Sequence, residues 1–285
     1  MTKSISTIGT HNGVFHADEV FGVAILQSIH PKAKVIRTRN SEVLNTCDIV
    51  LDVDGGKYDH HTNDKEYREN GIPYASAGLI WRDFGTMLTD LDRVGKIDES
   101  LIQGIDATDN GHTLECDKAI KTVSGIMSSF NPGWDSEESE EIGFEKAVEF
   151  AKTILGNEIR REKSRKKASS YVVEAIENRE QKEFLVLDKF CPWLEVVLTN
   201  EKANDVLFVI FPDKSRGYRI QTVPQEFNSF TARKDLPANW GGKRDSELNE
   251  IIGIDDAIFC HPARFIAGAF TKDSIFKMAQ LAINE

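Results

Sequence analysis

Ser4-Ile-Ser-Thr-Ile-Gly-Thr10, His11-Asn-Gly-Val-Phe-His16 and Ala17-Asp-Glu-Val-Phe-Gly-Val-Ala-Ile-Leu-Gln-Ser-Ile29 follow one another without a break. The first run reads as a strand and the second as a loop. The third is a helix begun near Asp18, with Val20, Phe21, Ala24, Ile25 and Ile29 recurring on one face until Pro31 stops it. Lys34 to Thr38 then reads as a second strand, Ser41 to Asn45 as a short helix, and Asp48-Ile-Val-Leu-Asp52 as a third strand running into Gly55-Gly56. Alternation of strands with helices calls for a parallel sheet covered on both faces.

Working outward, helical spacing recurs at Ala77 to Phe84, around Leu101 to Ile105 and at Ala119 to Phe130. An acidic stretch from Asp135 to Glu145 leads into a long helical pattern carrying Phe144, Val148, Ala151, Leu155 and Ile159. It turns basic at Arg160, Arg161, Lys163, Arg165, Lys166 and Lys167 before apolar spacing resumes at Ala168, Tyr171, Val172 and Ala175. Strand patterns at Phe184 to Leu187, Val206 to Phe211, Tyr218 to Val223 and Ala257 to Cys260 follow, and Ser274 to Ile283 closes the chain as an amphipathic helix. The expected architecture is α/β: an N-terminal parallel-sheet domain over 1–180, which includes a long connecting helix, and a smaller α/β domain over 181–285.

Composition narrows the class. At 285 residues, 40% hydrophobic and 28% charged, the chain has enough apolar surface for a real core. No apolar run approaches the ~18 residues of a membrane helix. The opening residues lack a basic patch followed by an apolar stretch, so a cytoplasmic address is expected. Cys47, Cys116, Cys191 and Cys260 have no paired spacing, which argues for buried reduced thiols rather than a zinc knuckle or disulfides. A formal net charge of -11 repels polyanions at long range and counts against a general nucleic-acid coat protein, although bound cations would lower that repulsion.

The informative residues are His and Asp where strands end. His11, His16 and Asp18 follow the first strand, Asp52 and Asp54 end the third, Asp59-His60-His61 comes shortly after, and Asp106 and Asp109 follow a helical segment. Loops at the carboxyl ends of parallel strands share one edge, so these groups can converge. Convergent carboxylates repel unless a cation neutralises them, which points to bound metal. His11, His16, Asp18, Asp52, His60 and Asp109 offer enough donors for two ions with one bridging carboxylate. Mixed imidazole and carboxylate ligation suits manganese, zinc, cobalt or iron better than calcium or magnesium, which prefer oxygen alone; manganese is the first choice, with zinc, cobalt and iron as alternatives and magnesium behind them. Asp54 and Asp106 compete with Asp52 and Asp109 as ligands, or serve as turn and cap residues.

At these residues the chain resembles the DHH phosphoesterase superfamily, which includes RecJ-type nucleases and manganese pyrophosphatases. Ile8-Gly-Thr-His-Asn-Gly-Val-Phe-His-Ala-Asp-Glu19, Pro192-Trp193, Tyr218-Arg-Ile-Gln-Thr-Val-Pro224 and His261-Pro-Ala-Arg-Phe-Ile-Ala-Gly268 resemble the Myg family of metal-dependent hydrolases, whose eukaryotic members are regarded as 3'-to-5' RNA exonucleases. The resemblance implies one metal on His11, His16 and Asp52 and another on Asp18, Asp52, His60 and Asp109. It also implies that His261 and Arg264 bind substrate. Two departures stand out: His16 occupies a place where many superfamily members have Asp, and the segment between Gly55-Gly56 and the Asp-His-His is short for this family.

In this reading His61 contacts the phosphate or protonates the leaving group, and Asp59 orients His60. Arginine's planar fork suits phosphate, which adds Arg216 and Arg219 to His261 and Arg264 as substrate-binding candidates. Trp240, beside Gly241-Gly242, reads as core, with base stacking as the alternative. The expected function is a two-metal phosphodiesterase, a 3'-to-5' exonuclease on RNA or short oligonucleotides. Hydrolysis of pyrophosphate or a dinucleotide is the enzymatic alternative, and a non-catalytic metal-bearing RNA-binding or regulatory protein the other.

Overall fold

Three short parallel strands carry the N-terminal half. In this computed structural model, which describes residues 4–61, 65–112, 122–214, 216–229 and 231–285, β1 (Thr7–Thr10) lies between β2 (Lys34–Arg37) and β3 (Ile49–Val50). Ile8 pairs with Val35 on one side and Ile49 on the other. Gly9 is required at the centre, because a Cβ there would come within 2.9 Å of Leu44 Cδ2 and 3.1 Å of Cys47 Sγ. The helix that bears Leu44 therefore packs directly on the strand.

Between β1 and β2 runs α1 (Ala17–Ile29), buried continuously from Ala17 to Leu26. That burial explains its nearly unbroken apolar sequence, since a helix enclosed on every side has no wet face to mark. Short α2 (Ser41–Leu44) connects β2 to β3. Then come α3 (Ser76–Phe84), which packs on α1, α4 (Leu91–Ile97), a π turn over Asp98–Ile102, α5 (Gln103–Asp109) and α6 (Val123–Met127). The helix expected over Ala119 to Phe130 is represented by α6 and a 3-10 turn at Ser128–Phe130; its first residues, like Cys116, lie outside the described residues.

The long helix α7 spans Glu140–Glu177. Phe144, Ala147, Val148, Ala151, Leu155 and Ile159 join the core of the first half, whereas Ala168, Val172 and Ile176 join a core of the second. Two compact units, Met1–Lys163 and Ser164–Glu285, divide within this helix.

In the second unit a five-stranded sheet has the order β4-β5-β6-β8-β7. Its elements are β4 (Phe184–Val186), α8 (Leu194–Thr199), β5 (Phe208–Pro212), β6 (Tyr218–Thr222), α9 (Asp245–Ile252), β7 (Ala257–Cys260), β8 (Ile266–Ala269) and α10 (Lys272–Asn284). Only β4 and β5 pair in parallel. Phe208 and Ile210 pack into the core that contains α10, while Val209 and Phe211 pack with α7 and α8, so β5 is apolar on both faces. Trp240 is buried in the α10-side core and is no stacking platform. Strand β8 escapes sequence reading because Ile-Ala-Gly-Ala carries little β-propensity; at Gly268 the Arg219 guanidinium and Phe259 ring lie close over the strand, 2.8 and 3.2 Å from where a Cβ would stand.

Cys191 and Cys260 are buried free thiols, as expected, whereas Cys47 is only half-buried. Among the described residues no helix is long and apolar enough to cross a membrane.

Candidate metal centre

The site is assembled where β1 and β3 end. Asp52 leaves β3 in the left-handed region (φ 58°), followed by Asp54 (φ 72°) and Gly55 (φ 66°). That turn returns the chain beside itself: Tyr58 bridges Leu51 in parallel, and the Asp52 N–H donates to the Tyr58 carbonyl at 3.0 Å. His60 and His61 are thereby delivered to the Asp52 carboxylate. Left-handed backbone is costly for non-glycine residues, and here it is spent on aiming one carboxylate.

Asp52 is the hub. Its Oδ2 lies 3.2 Å from His11 Nε2, and its Oδ1 lies 3.3 Å from His60 Nδ1 and 3.4 Å from His61 Nδ1. The Ser76 hydroxyl at the start of α3 donates to the same Oδ1 at 3.3 Å. His11 Nδ1 faces its neighbour's carbonyl, Asn12 O, at 3.1 Å, so that nitrogen carries a proton in either charge state, and Nε2 points at Asp52 and Glu19. His60 spans two carboxylates, with Nε2 2.9 Å from Asp109 Oδ2. His16 is exposed, yet a ligand atom of His16 lies within 4.8 Å of those of Asp18 and Asp109, and likewise of those of His11 and Glu19.

All six residues expected to bind metal are thus brought together. Asp18 is the most telling. It is fully buried, both carboxylate oxygens lack a hydrogen-bond partner, and one of them lies within 4.8 Å of oxygens of Glu19 and Asp52. A buried unpaired carboxylate is expensive, and one surrounded by others more so. Burial first, then Asp52, Glu19 and Asp109, push its pKa well above the usual carboxyl range. Burial opposes the charged form of His11, but Asp52 and Glu19 outweigh it and raise its pKa to about 10. His60 is raised against burial by Asp109 and Asp52, and Asp109 is lowered against burial by His60. Without a cation, protons hold this cluster together. Imidazole and carboxylate donors converging at hydrogen-bond distance are a fitting set for a transition-metal ion, and an orphaned Asp18 leaves room in that set.

Several expectations change in detail. Asp54 is exposed and accepts from the Ser41 hydroxyl at 2.6 Å, making it a turn residue. Asp106 is buried away from the cluster, where it accepts from Arg68 Nη2 at 2.7 Å and from the Gly78 N–H at 3.0 Å. Asp109 belongs to the last turn of α5 rather than to a loop. Asp59 grips His61 instead of orienting His60. Its Oδ1 takes the His61 N–H at 3.0 Å and faces His61 Nδ1 at 2.9 Å, while Oδ2 takes the Gly55 N–H at 2.7 Å. Burial opposes ionisation of Asp59, but those N–H groups and the His61 ring hold its carboxyl below the usual range. The His61 side chain is 63% exposed with Nδ1 tied to Asp59. A shallow depression beside the cluster is lined by Lys57, Asp59, His60, Lys65 and Tyr74.

Glu19 was not among the expected site residues. Its carboxylate accepts the His16 N–H at 2.9 and 3.0 Å and sits 3.1 Å from His11 Nε2, fully buried. A Glu three residues into a helix reads as a cap, and this one is a cap that also faces the centre.

The substrate-binding candidates lie in the second unit. His261 and Arg264 share the turn between β7 and β8, where the Ala263 N–H donates to His261 Nδ1 at 3.1 Å and Arg264 (φ 58°) pairs with Asp235 at 2.9 Å. Arg219 donates to the carbonyls of Arg216 and Tyr218 and stacks over Phe259, so much of its hydrogen-bonding capacity is already used. Arg216 is exposed and lies over the Phe270 ring.

The family profile MYG1_exonuc, described as Uncharacterised protein family (UPF0160), matches residues 7–283. The MYG1 protein of Schizosaccharomyces pombe is 32% identical across 99% of this chain and 98% of its own length. The Homo sapiens protein named MYG1 exonuclease is 33% identical across 97% of this chain and 85% of its own. Among solved structures, RecJ from Thermus thermophilus in complex with Mn2+ aligns with 98% of this chain and 52% of that one, at 15% identity and a TM-score of 0.29. At that score the likeness says nothing of the site.

Proposed function

The chain belongs to the MYG1 exonuclease family, and on that premise we propose that it is a metal-dependent phosphodiesterase that removes nucleotides from RNA or short oligonucleotides, with 3'-to-5' polarity. The observation that carries this reading is Asp18: a fully buried carboxylate whose oxygens accept no hydrogen bond, packed against Glu19 and Asp52 with His60 Nδ1 3.7 Å from one oxygen. Such a group is stable only beside a cation or a proton, and His11 and His60 supply imidazole nitrogens of the right kind.

In this proposal two divalent ions, manganese first, are held by His11, His16 and Asp52 and by Asp18, Asp52, His60 and Asp109. When bound they supply an activated water and relieve the charge of a phosphate in an in-line displacement. The chain's own groups do the rest. The Asn12 carbonyl fixes the His11 tautomer, Ser76 steadies the shared Asp52 oxygen, and Glu19 secures the loop that bears His16. Asp59 accepts from His61 Nδ1, so that the exposed ring, as an imidazolium, would present its Nε2–H to a phosphate oxygen or pass that proton to the leaving oxygen and return to the neutral Nδ1–H form. His261, Arg264, Arg216 and Arg219 are the substrate-binding groups of the second unit in the same proposal.

The test is purified protein with added manganese on end-labelled RNA, single-stranded DNA, dinucleotides and pyrophosphate, beside an Asp52→Ala control. Progressive nucleotide release from RNA that disappears in the control is expected. Release confined to pyrophosphate, or none with any divalent metal, would overturn the reading.

A further inference from the structure

We propose that Trp134 is a stacking platform for a nucleobase of the substrate; this rests on the oligonucleotide reading above and names a contact for it. Of the chain's four tryptophans, Trp81, Trp193 and Trp240 are buried, whereas Trp134 is 98% exposed. Leaving an indole wet forgoes one of the largest apolar burials a side chain can offer, and a wet, amphipathic ring is suited to contact with a partner.

Its placement puts the exposed ring on a segment tied to the metal-centre loop. The segment before Trp134 is fastened to the loop that carries His11 and His16: the Asn131 side chain accepts the Phe15 N–H at 3.0 Å and donates to the Phe15 carbonyl at 2.8 Å. The segment after it is fastened to the same loop through Arg37. That guanidinium pairs with Glu141 at 3.2 Å while donating to the His11 carbonyl at 3.2 Å and the Gly13 carbonyl at 2.6 Å. Between these anchors Pro132 stiffens the entry, and the Ser136 N–H closes a turn on the Gly133 carbonyl at 2.9 Å, with Trp134 at its tip. Three residues of extended chain span ~10 Å, so Trp134 stays close to the metal-centre loop.

Charge decides which part of a nucleotide fits. Asp135, Glu137, Glu138, Glu140 and Glu141 crowd the segment and are exposed. They repel phosphate, so the proposed contact requires the backbone to run away from this segment with only the base reaching the indole. A base laid on Trp134 would hold its nucleotide beside the loop of His11 and His16 without any demand on base identity, since every base has a π-face.

The full-length protein tests this through its own fluorescence, because Trp134 alone among its tryptophans is open to a soluble quencher. Red-edge emission is followed with acrylamide while a phosphorothioate-linked tetraadenylate, or an abasic ribose-phosphate tetramer of the same charge, is added. Shielding of Trp134 by the adenylate and not by the abasic chain is expected. Trp134→Ala is expected to weaken adenylate binding about tenfold and Trp134→Phe much less, with bound metal unchanged in both. Failure of the adenylate to bind, unaltered quenching at saturation, or an unchanged preference for adenylate over the abasic chain in Trp134→Ala each overturns the inference. Cleavage is read separately. An active enzyme with an unshielded Trp134 keeps the proposed function and removes the platform; a shielded Trp134 in a protein that cleaves nothing does the reverse.

Discussion

His11 Nε2 stands 3.2 Å from Asp52 Oδ2, with both side chains almost fully buried, and that contact is held by a proton where the proposed function puts an ion. Metal binding must therefore expel protons. With the His11 pKa at about 10, apparent metal affinity is expected to rise with pH up to about that value, and calorimetry in buffers of differing ionisation enthalpy should register proton release on manganese binding. Affinity independent of pH, with no protons released, would contradict it.

The same groups set the pH dependence of the metal-free fold. His11 is raised on folding, so its stabilisation is complete below the ordinary imidazole value of about 6.5 and is lost as pH climbs through about 10. Asp18 is also raised, so the folded state again binds the proton more tightly and the sign is the same. Urea unfolding with chelator present should show stability falling as pH rises across this window, and saturating manganese should reverse or flatten the slope.

Glu19→Gln keeps an oxygen for the His16 N–H but removes a negative charge 3.1 Å from His11 Nε2. Secondary structure by circular dichroism should survive, while manganese affinity is expected to fall by roughly tenfold or more, as when a group behind a metal ligand is altered.

His61→Gln isolates the exposed ring held by Asp59. Metal content should stay near that of the unaltered protein, while kcat for RNA hydrolysis falls on the order of 100-fold. An unchanged rate constant would remove His61 from the mechanism.

Gly78→Ala tests the buried polar support beneath the site. In an exposed helix this change stabilises by ~1 kcal/mol. Here the new Cβ would lie 1.8 Å from Asp106 Oδ2 and 2.7 Å from Arg68 Nη2. Asp106 is already strained by burial, which raises its pKa to about 7 despite Arg68. A net loss of ~2–3 kcal/mol in urea denaturation is expected, and a gain would show that the contact relaxes freely.

Much of the fold was legible because β1, α1 and β2 follow in a few dozen residues with strong periodicity, and the ends of parallel strands place His11, Asp18 and Asp52 at one edge. What local pattern cannot convey is partnership across distance. Asp106 and Asp109 look alike in sequence; Arg68, far upstream, claims one and His60 the other. Asp52 and Asp54 are told apart by a Ser41 hydroxyl that only folding brings near. Helices α4, α8 and α9 are too short to show a periodicity. Glu19 hid behind its capping role. Exposure of a tryptophan is equally silent in sequence: Trp240, next to two glycines, is core, while Trp134, at the edge of an acidic stretch, stands in water.

The proposed chemistry depends on a pair of cations sharing Asp52. Crystals grown with manganese and measured at its absorption edge test it most directly. Two anomalous peaks ~3.5–4 Å apart, one beside His11 and the other beside His60, are the expected result; no peak among these residues would contradict it.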